Sequence, residues 1–237
     1  MSEKIKALLL SGGYGTRLRP LTEKIPKCLV EISGKPILEH WLTKLEEIGC
    51  DACLINTHYL SEKVHKFIKN RKKSRMLIKE VYEKELYGTA GTLIKNSEYF
   101  KDCNILMIHT DNMTNFDLRE LILANNKRPT NCLLTMLTFN TDCPQSCGIV
   151  IKNDRQVLVN FLEKIADPPS NIANGAVYIF DQEFINTLKI DLPNAKDFSL
   201  EVIPKYIGRI FTYHTDKLLI DIGTKKNLQK ARIEFNK

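Results

Sequence analysis

The 237-residue sequence has no apolar run near the roughly 18 residues that a membrane-spanning helix requires, and its opening MSEKIK contains no signal-peptide core. It has no acidic tract and no proline- or glycine-rich stretch, so disorder is not expected. Its cysteines, at Cys28, Cys50, Cys53, Cys103, Cys132, Cys143 and Cys147, are odd in number, which suits free thiols in a reducing cytoplasm better than a disulfide framework. Cys50-x-x-Cys53 and Cys143-x-x-x-Cys147 could together supply zinc ligands. However, CDACLIN reads as the start of a strand, whose alternate side chains face opposite ways, so small buried residues are expected there instead.

What is present is ordinary for a globular chain: 43% hydrophobic and 27% charged residues, enough for one sizeable core. The net charge of +7 admits acidic partners, among them phosphorylated small molecules. The dense basic run KFIKNRKKSR, residues 66–75, reads as a solvated helix end and loop, with a polyanion patch as the alternative.

Apolar runs of strand length alternate with helical stretches in the first half: strands at 5–10, 53–56, 76–82 and 104–110, and helices at 36–49, 61–70, 89–96 and 116–126. This alternation predicts a parallel sheet covered on both faces. From 131 onward, closely spaced strands at 131–140, 147–153, 156–164 and 174–180 predict antiparallel pairing. Helices at 181–188, 197–205 and 224–234, with short strands at 210–214 and 218–221, complete one mixed α/β domain with no repeat and no linker.

The segment LLLSGGYGTRLRPLTEKIPKCLV, residues 8–30, carries the strongest signal. In a parallel sheet, ligands bind beyond the carboxyl ends of the strands, and Gly12, Gly13 and Gly15 let backbone N–H groups approach an anion with no Cβ in the way. Neither G-x-x-x-x-G-K-[ST] nor G-x-G-x-x-G is present, and Pro20 and Pro26 argue against a helix directly after the glycines. The reading is an extended loop with two held cations: Arg17 to fork onto phosphate oxygens and Lys27 as a point charge beside Pro26.

SGGYGTRLRPLTEKIPKCLVEISGKPIL resembles the signature of sugar-1-phosphate nucleotidyltransferases. Further matches keep that family's order: YGTAGTL (87–93), HTDN (109–112), CGIV (147–150), FLEK (161–164), NGAVYIF (174–180), DFSLEVIP (197–204) and LLIDIGT (218–224). The resemblance covers residues 5 to about 231 and implies a Rossmann-like, mainly parallel sheet flanked by helices. The chain ends soon after DIGT, so a C-terminal left-handed β-helix is not expected.

The implied reaction joins a sugar 1-phosphate to the α-phosphorus of a nucleoside triphosphate and releases pyrophosphate. Two anions with together roughly six negative charges must meet, and each unit pair at about 4 Å repels by about 4 kcal/mol at an effective dielectric constant near 20. Catalysis is then alignment and charge neutralisation. The resemblance assigns the triphosphate to Gly12, Gly13, Gly15, Thr16 and Arg17, charge neutralisation in the transfer to Arg17 and Lys27, and Mg²⁺ to Asp111 and Asp221. Standing alone, Asp111 could be a helix cap with Asn112, and Asp221 a turn residue before Gly223. The acceptor sugar phosphate is assigned to Gly148, Glu163, Lys164 and Asn174, and the base to Glu83, Gly88 and Thr89, with Glu83 solvated as the alternative.

The sequence departs from the family pattern at Thr110 and Ile165, in NGA where NAG is common, and at a leucine in place of a tryptophan near Asp221. EKELYGTAGTL looks most like guanylyltransferases for mannose or heptose 1-phosphate. A cytidylyltransferase acting on a sugar phosphate or a small alcohol or aminoalkyl phosphate is the alternative. The expected partners are those two substrates, with no nucleic acid and no membrane, and a homodimer is the candidate assembly. The expected setting is sugar-nucleotide synthesis for cell-surface polysaccharide in the cytoplasm.

Overall fold

The computed structural model describes residues 4–72 and 74–236, so Lys73 of the basic run lies outside the described residues. The strands are β1 (Ile5–Leu10), β2 (Glu31–Ile32), β3 (Lys35–Pro36), β4 (Ala52–Thr57), β5 (Leu77–Tyr82), β6 (Asn104–His109), β7 (Asn112–Thr114), β8 (Leu134–Asn140), β9 (Gly148–Lys152), β10 (Leu158–Glu163), β11 (Ile172–Phe180), β12 (Ile210–Thr215) and β13 (Leu219–Asp221). The helices are α1 (Leu21–Lys24), α2 (Ile37–Glu47), α3 (Ser61–Asn70), α4 (Gly88–Lys95), α5 (Leu118–Asn125), α6 (Gln182–Asp191), α7 (Ile203–Lys205) and α8 (Lys225–Glu234). The fold is mixed α/β with a mostly parallel central sheet flanked by helices, as the alternating pattern predicts. Among the described residues, no helix is long and apolar enough to cross a membrane.

The chain forms two compact units. The first comprises Ile5–Leu86, Ile108–Asn115 and Leu218–Lys237, and the second is built mainly on Tyr87–Met107 and Phe116–Lys217.

In the first unit, β1 pairs in parallel with β4, and β4 with β5. β4 lies between two neighbours and is buried along its whole length, which is why ACLINT reads as a continuous run instead of an alternation. α2 turns Ile37, Leu38, Trp41, Leu42 and Leu45 into the core, each such side chain contributing about 1.5–3 kcal/mol of apolar burial. The basic run divides. Lys66, Lys69, Lys72 and Arg75 are exposed as expected, but Arg71 is not solvated: its guanidinium donates to Glu39 (2.8 and 2.9 Å) and Glu46 (2.5 and 3.0 Å) on α2. That pairing holds the Glu46 carboxyl below its ordinary range.

In the second unit, β8 pairs antiparallel with β11 and β9 with β10, as the close spacing predicts. β12 departs from that pattern and runs parallel to β8. It is reached through α6, a π-helical turn at Phe198–Val202 and α7, and a helical crossover of this kind returns a strand in the parallel sense. Phe184 packs on Phe180, Phe198 and Tyr206 with ring centroids 4.8, 6.2 and 5.5 Å apart. Several helices start one or two residues later than the apolar pattern implies because a capping residue precedes them. The Asp117, Asp181, Asp197 and Thr224 side chains each accept from backbone N–H groups of the following turn.

Candidate functional site

β1 ends at Leu10, and the glycine loop is fastened at once to β4: Ser11 N–H donates to Asn56 Oδ1 at 2.7 Å. A Cβ on Gly12 would lie 3.0 Å from Leu86 Cδ2 and 3.1 Å from Asn56 Nδ2, whereas Gly13 faces open space. Gly15 takes φ +63, and its carbonyl accepts from Thr22 Oγ1 at 2.7 Å. A 3₁₀ turn, Thr16–Leu18, starts directly after Gly15, closed by Leu18 N–H on the Gly15 carbonyl (3.0 Å). This corrects the extended chain expected there. Pro20 and Pro26 lie beyond the turn, so they do not prevent it.

The two aspartates, 110 positions apart by numbering (221 − 111), meet because β7 and β13 form a separate two-stranded antiparallel ribbon. Asp221 stands opposite Asn112, and Ile222 N–H donates to the Asp111 carbonyl at 2.9 Å. Trp41 Nε1–H donates to the Asn112 carbonyl at 2.8 Å and pins this ribbon to α2. Thr110, where the family pattern has glycine, is bound to the end of β1: its N–H and Oγ1–H both donate to the Leu10 carbonyl, at 3.3 and 2.8 Å. Asp111 is therefore placed by strand contacts, not by a helix cap.

Lys27 joins the pair. Its side chain is 12% exposed, and its ammonium donates to Asp111 Oδ2 and lies 3.5 Å from Asp221 Oδ1. Burial raises the Asp111 pKa, but Lys27 and His109 outweigh it and hold the carboxyl below its ordinary value. Arg17, 61% exposed, approaches Asp221 Oδ2 to 4.0 Å. Gly223 makes that approach possible, since a Cβ there would lie 2.6 Å from Arg17 Nη2. Asp221 is also the turn residue of the alternative reading, because its Oδ1 accepts from Gly223 N–H at 2.7 Å. The donor set suits a hard divalent cation: two carboxylates already converge on one positive centre, and both supply oxygen. Among the described residues, no group of three or more His, Cys, Asp or Glu could hold a metal ion, so any further ligands would come from substrate and water.

Glu83 is not solvated, and this corrects that alternative reading of it. Its side chain has no exposed surface and accepts from Asn56 Nδ2 at 3.2 Å. Its N–H donates to the Thr57 carbonyl (2.8 Å), and its own carbonyl accepts from His58 Nδ1 (2.8 Å). A carboxylate hydrogen-bonded by its neighbours at the end of the edge strand β5 costs less to bury than an unpaired one. Asn56 and His58 escaped the sequence reading because nothing local marks them.

The second unit holds the remaining candidates. Gly88 has φ +79, and a Cβ there would lie 2.3 Å from the Lys196 carbonyl oxygen. Thr89 Oγ1 accepts from Phe198 N–H at 2.7 Å, so this hydroxyl fastens α4 to the 196–198 turn. Gly148 stands opposite Glu163, and a Cβ there would lie 2.3 Å from Phe161 Cζ and 2.5 Å from Glu163 Oε2. Lys164 has φ +51, donates its N–H to the Cys147 carbonyl (3.1 Å) and pairs with Glu163 Oε1 at 3.0 Å, its side chain 62% exposed. Asn174 Nδ2–H donates to the hydroxyl of the buried Tyr178 at 2.6 Å, while Asn174 Oδ1 accepts from Ala176 N–H at 2.9 Å. Tyr178, missed in the sequence, orients that amide. Burial raises its own pKa, and Glu163 contributes to the same shift. The NGA departure has a backbone consequence: the positive φ, +50, falls on Ala176, where NAG would put glycine.

A parallel sheet with a glycine loop at the carboxyl end of its first strand is the architecture of α/β proteins that bind ligands at that edge. The chain belongs to the nucleotidyl transferase family, which it matches over residues 6–236. It is 30% identical over 232 residues to the mannose-1-phosphate guanylyltransferase catalytic subunit beta of Drosophila melanogaster, covering 94% of this chain and 60% of that one. It is 28% identical over 258 residues to glucose-1-phosphate adenylyltransferase of Geobacillus stearothermophilus, covering 99% of this chain and 67% of the relative. Against curated relatives such as the Drosophila subunit, the chain thus spans about 60% of their length. The crystal structure of HddC from Yersinia pseudotuberculosis complexed with GMP-PN shares the fold, with a TM-score of 0.81 at 24% identity over 97% of this chain and 99% of that one.

Proposed function

We propose that this protein transfers a nucleotidyl group from a nucleoside triphosphate, GTP by preference, to a manno-configured hexose or heptose 1-phosphate, giving a nucleotide sugar and pyrophosphate. The observation that carries the reading is the Lys27 ammonium set against both Asp111 and Asp221, in the unit that also holds the glycine loop and Arg17. Backbone N–H groups at Gly12, Gly13 and Gly15, with Thr16 and Arg17, hold the triphosphate. Asp111 and Asp221 hold Mg²⁺, which when bound supplies charge neutralisation on the phosphates. Lys27, released from the carboxylates in exchange, places its charge on the transferring phosphate. The segment Glu83–Thr89, with Gly88 and Thr89 at its end, reads the base through backbone groups, and Glu83 acts from beneath by holding Asn56. Gly148, Glu163, Lys164 and Asn174 receive the sugar phosphate.

GTP is favoured because EKELYGTAGTL looks like the guanylyltransferase segment, and the Drosophila relative and the GMP-PN complex of HddC agree with that choice. Seven free thiols favour the cytoplasm as the place of action; the nucleotide sugar would serve synthesis of cell-surface polysaccharide. The test is pyrophosphate release from a panel of five nucleoside triphosphates against phosphorylated acceptors. GTP with a mannose- or heptose-type 1-phosphate should lead. A lead for CTP with an alcohol or aminoalkyl phosphate would overturn both the base and the sugar.

A further inference from the structure

Two separate hydrogen-bonded links tie the glycine loop to the start of the Glu83–Leu86 segment, and both pass through the end of β4. In the first, Asn56 Oδ1 accepts from Ser11 N–H (2.7 Å) while its Nδ2–H donates to Glu83 Oε1 (3.2 Å). One amide thus uses its acceptor on the loop and its donor on the segment, and it is 4% exposed, so water cannot replace either bond cheaply. In the second, His58 Nδ1 faces the Glu83 carbonyl (2.8 Å) and Nε2 faces the Tyr14 hydroxyl (2.9 Å). A carbonyl only accepts, so Nδ1 donates to it, while Nε2 pairs with the Tyr14 hydroxyl. The Tyr14 ring also stands edge-on to His58, with centroids 5.3 Å apart. Gly12 closes the arrangement, because a Cβ there would crowd Leu86 Cδ2 and Asn56 Nδ2 at 3.0 and 3.1 Å.

We infer that Asn56 and His58 are positioning residues that make the glycine loop and the Glu83–Leu86 segment move as one body, so that the contact made by the base sets the geometry of the phosphate cradle. The catalytic consequence rests on the proposed nucleotide-binding reading, but the mechanical coupling does not. Amide hydrogen exchange and steady-state kinetics on the full chain separate the two. In Asn56→Leu, exchange should quicken about tenfold or more in both Ser11–Gly15 and Glu83–Leu86, since each loses a buried partner. The KM for GTP should rise about tenfold, with the sugar 1-phosphate KM within about twofold of wild type. His58→Phe and Tyr14→Phe, which spare the buried amide, should loosen the same two segments more weakly, and they carry the test if Asn56→Leu does not fold. Loosening of only one segment, or equal rises in both KM values, overturns the coupling. If wild-type protein turns over no nucleoside triphosphate, the proposed function falls, and the exchange data alone then decide the coupling.

Discussion

The two units hold their polar groups in opposite ways. In the first, Arg17 and Lys27 of one loop meet Asp111 and Asp221 from two distant places in the chain, and their opposite charges face one another beside a ribbon that joins residues 112–114 to 219–221. In the second, the candidates are held by neighbours: Glu163 by its register opposite Gly148 and by Lys164 beside it, and Asn174 by Tyr178 and Ala176 on its own strand. A cluster of charges assembled at long range depends on every member for its electrostatic balance. A site built on neighbouring strands depends on backbone geometry, so single substitutions there shift placement more than charge.

The largest effect should come from breaking the long-range cluster. Asp111→Asn or Asp221→Asn removes an anionic oxygen ligand and should lower turnover by about 100-fold or more with Mg²⁺ present. Near-normal turnover in either variant, or full wild-type activity in excess chelator, would remove these residues from metal binding. In the strand-built site, Gly148→Ala should cost about 1–3 kcal/mol in denaturant unfolding, because a Cβ would overlap Phe161 and Glu163 at 2.3 and 2.5 Å. An unchanged midpoint would mean that β10 yields easily. Lys164→Ala removes an exposed point charge and should raise the sugar 1-phosphate KM about tenfold, leaving the KM for the nucleotide in place. Equal damage to both constants would move Lys164 out of the acceptor site. The smallest change is expected at Ala176, whose φ of +50 costs an L-residue about 1–2 kcal/mol. Ala176→Gly relieves that strain but gives up about 0.4–1 kcal/mol through the unfolded chain, so thermal unfolding should show a gain of at most about 1.6 kcal/mol. A loss of stability would show that Ala176 packs better than its backbone suggests.

Local periodicity made most elements legible. β1 and α3 occupy the residues predicted for them, 5–10 and 61–70, because an apolar run and a single buried stripe are properties of neighbouring residues. β7 was not foreseen, since three residues paired with a partner more than a hundred positions away carry no local signature. The parallel sense of β12 was missed for the same reason. At the site, Gly12, Gly15, Arg17 and Lys27 stood out because glycines and cations gathered in one loop are hard to account for structurally. Asn56, His58 and Tyr178 did not, because each acts by orienting a group from another part of the chain.

The sequence by itself determined the element order, the capped helices, the buried central strand and the kind of chemistry its loop can support, because those follow from backbone conformation and side-chain type taken a few residues at a time. Only the tertiary structure decided which charges meet. It set Lys27 between two aspartates, turned Glu83 inward onto Asn56, left Arg71 between two glutamates and put a positive φ on Ala176. Each of these depends on a distance between residues remote in the chain or on a backbone angle set by strand pairing, and pairwise electrostatics and packing have no value until those distances exist.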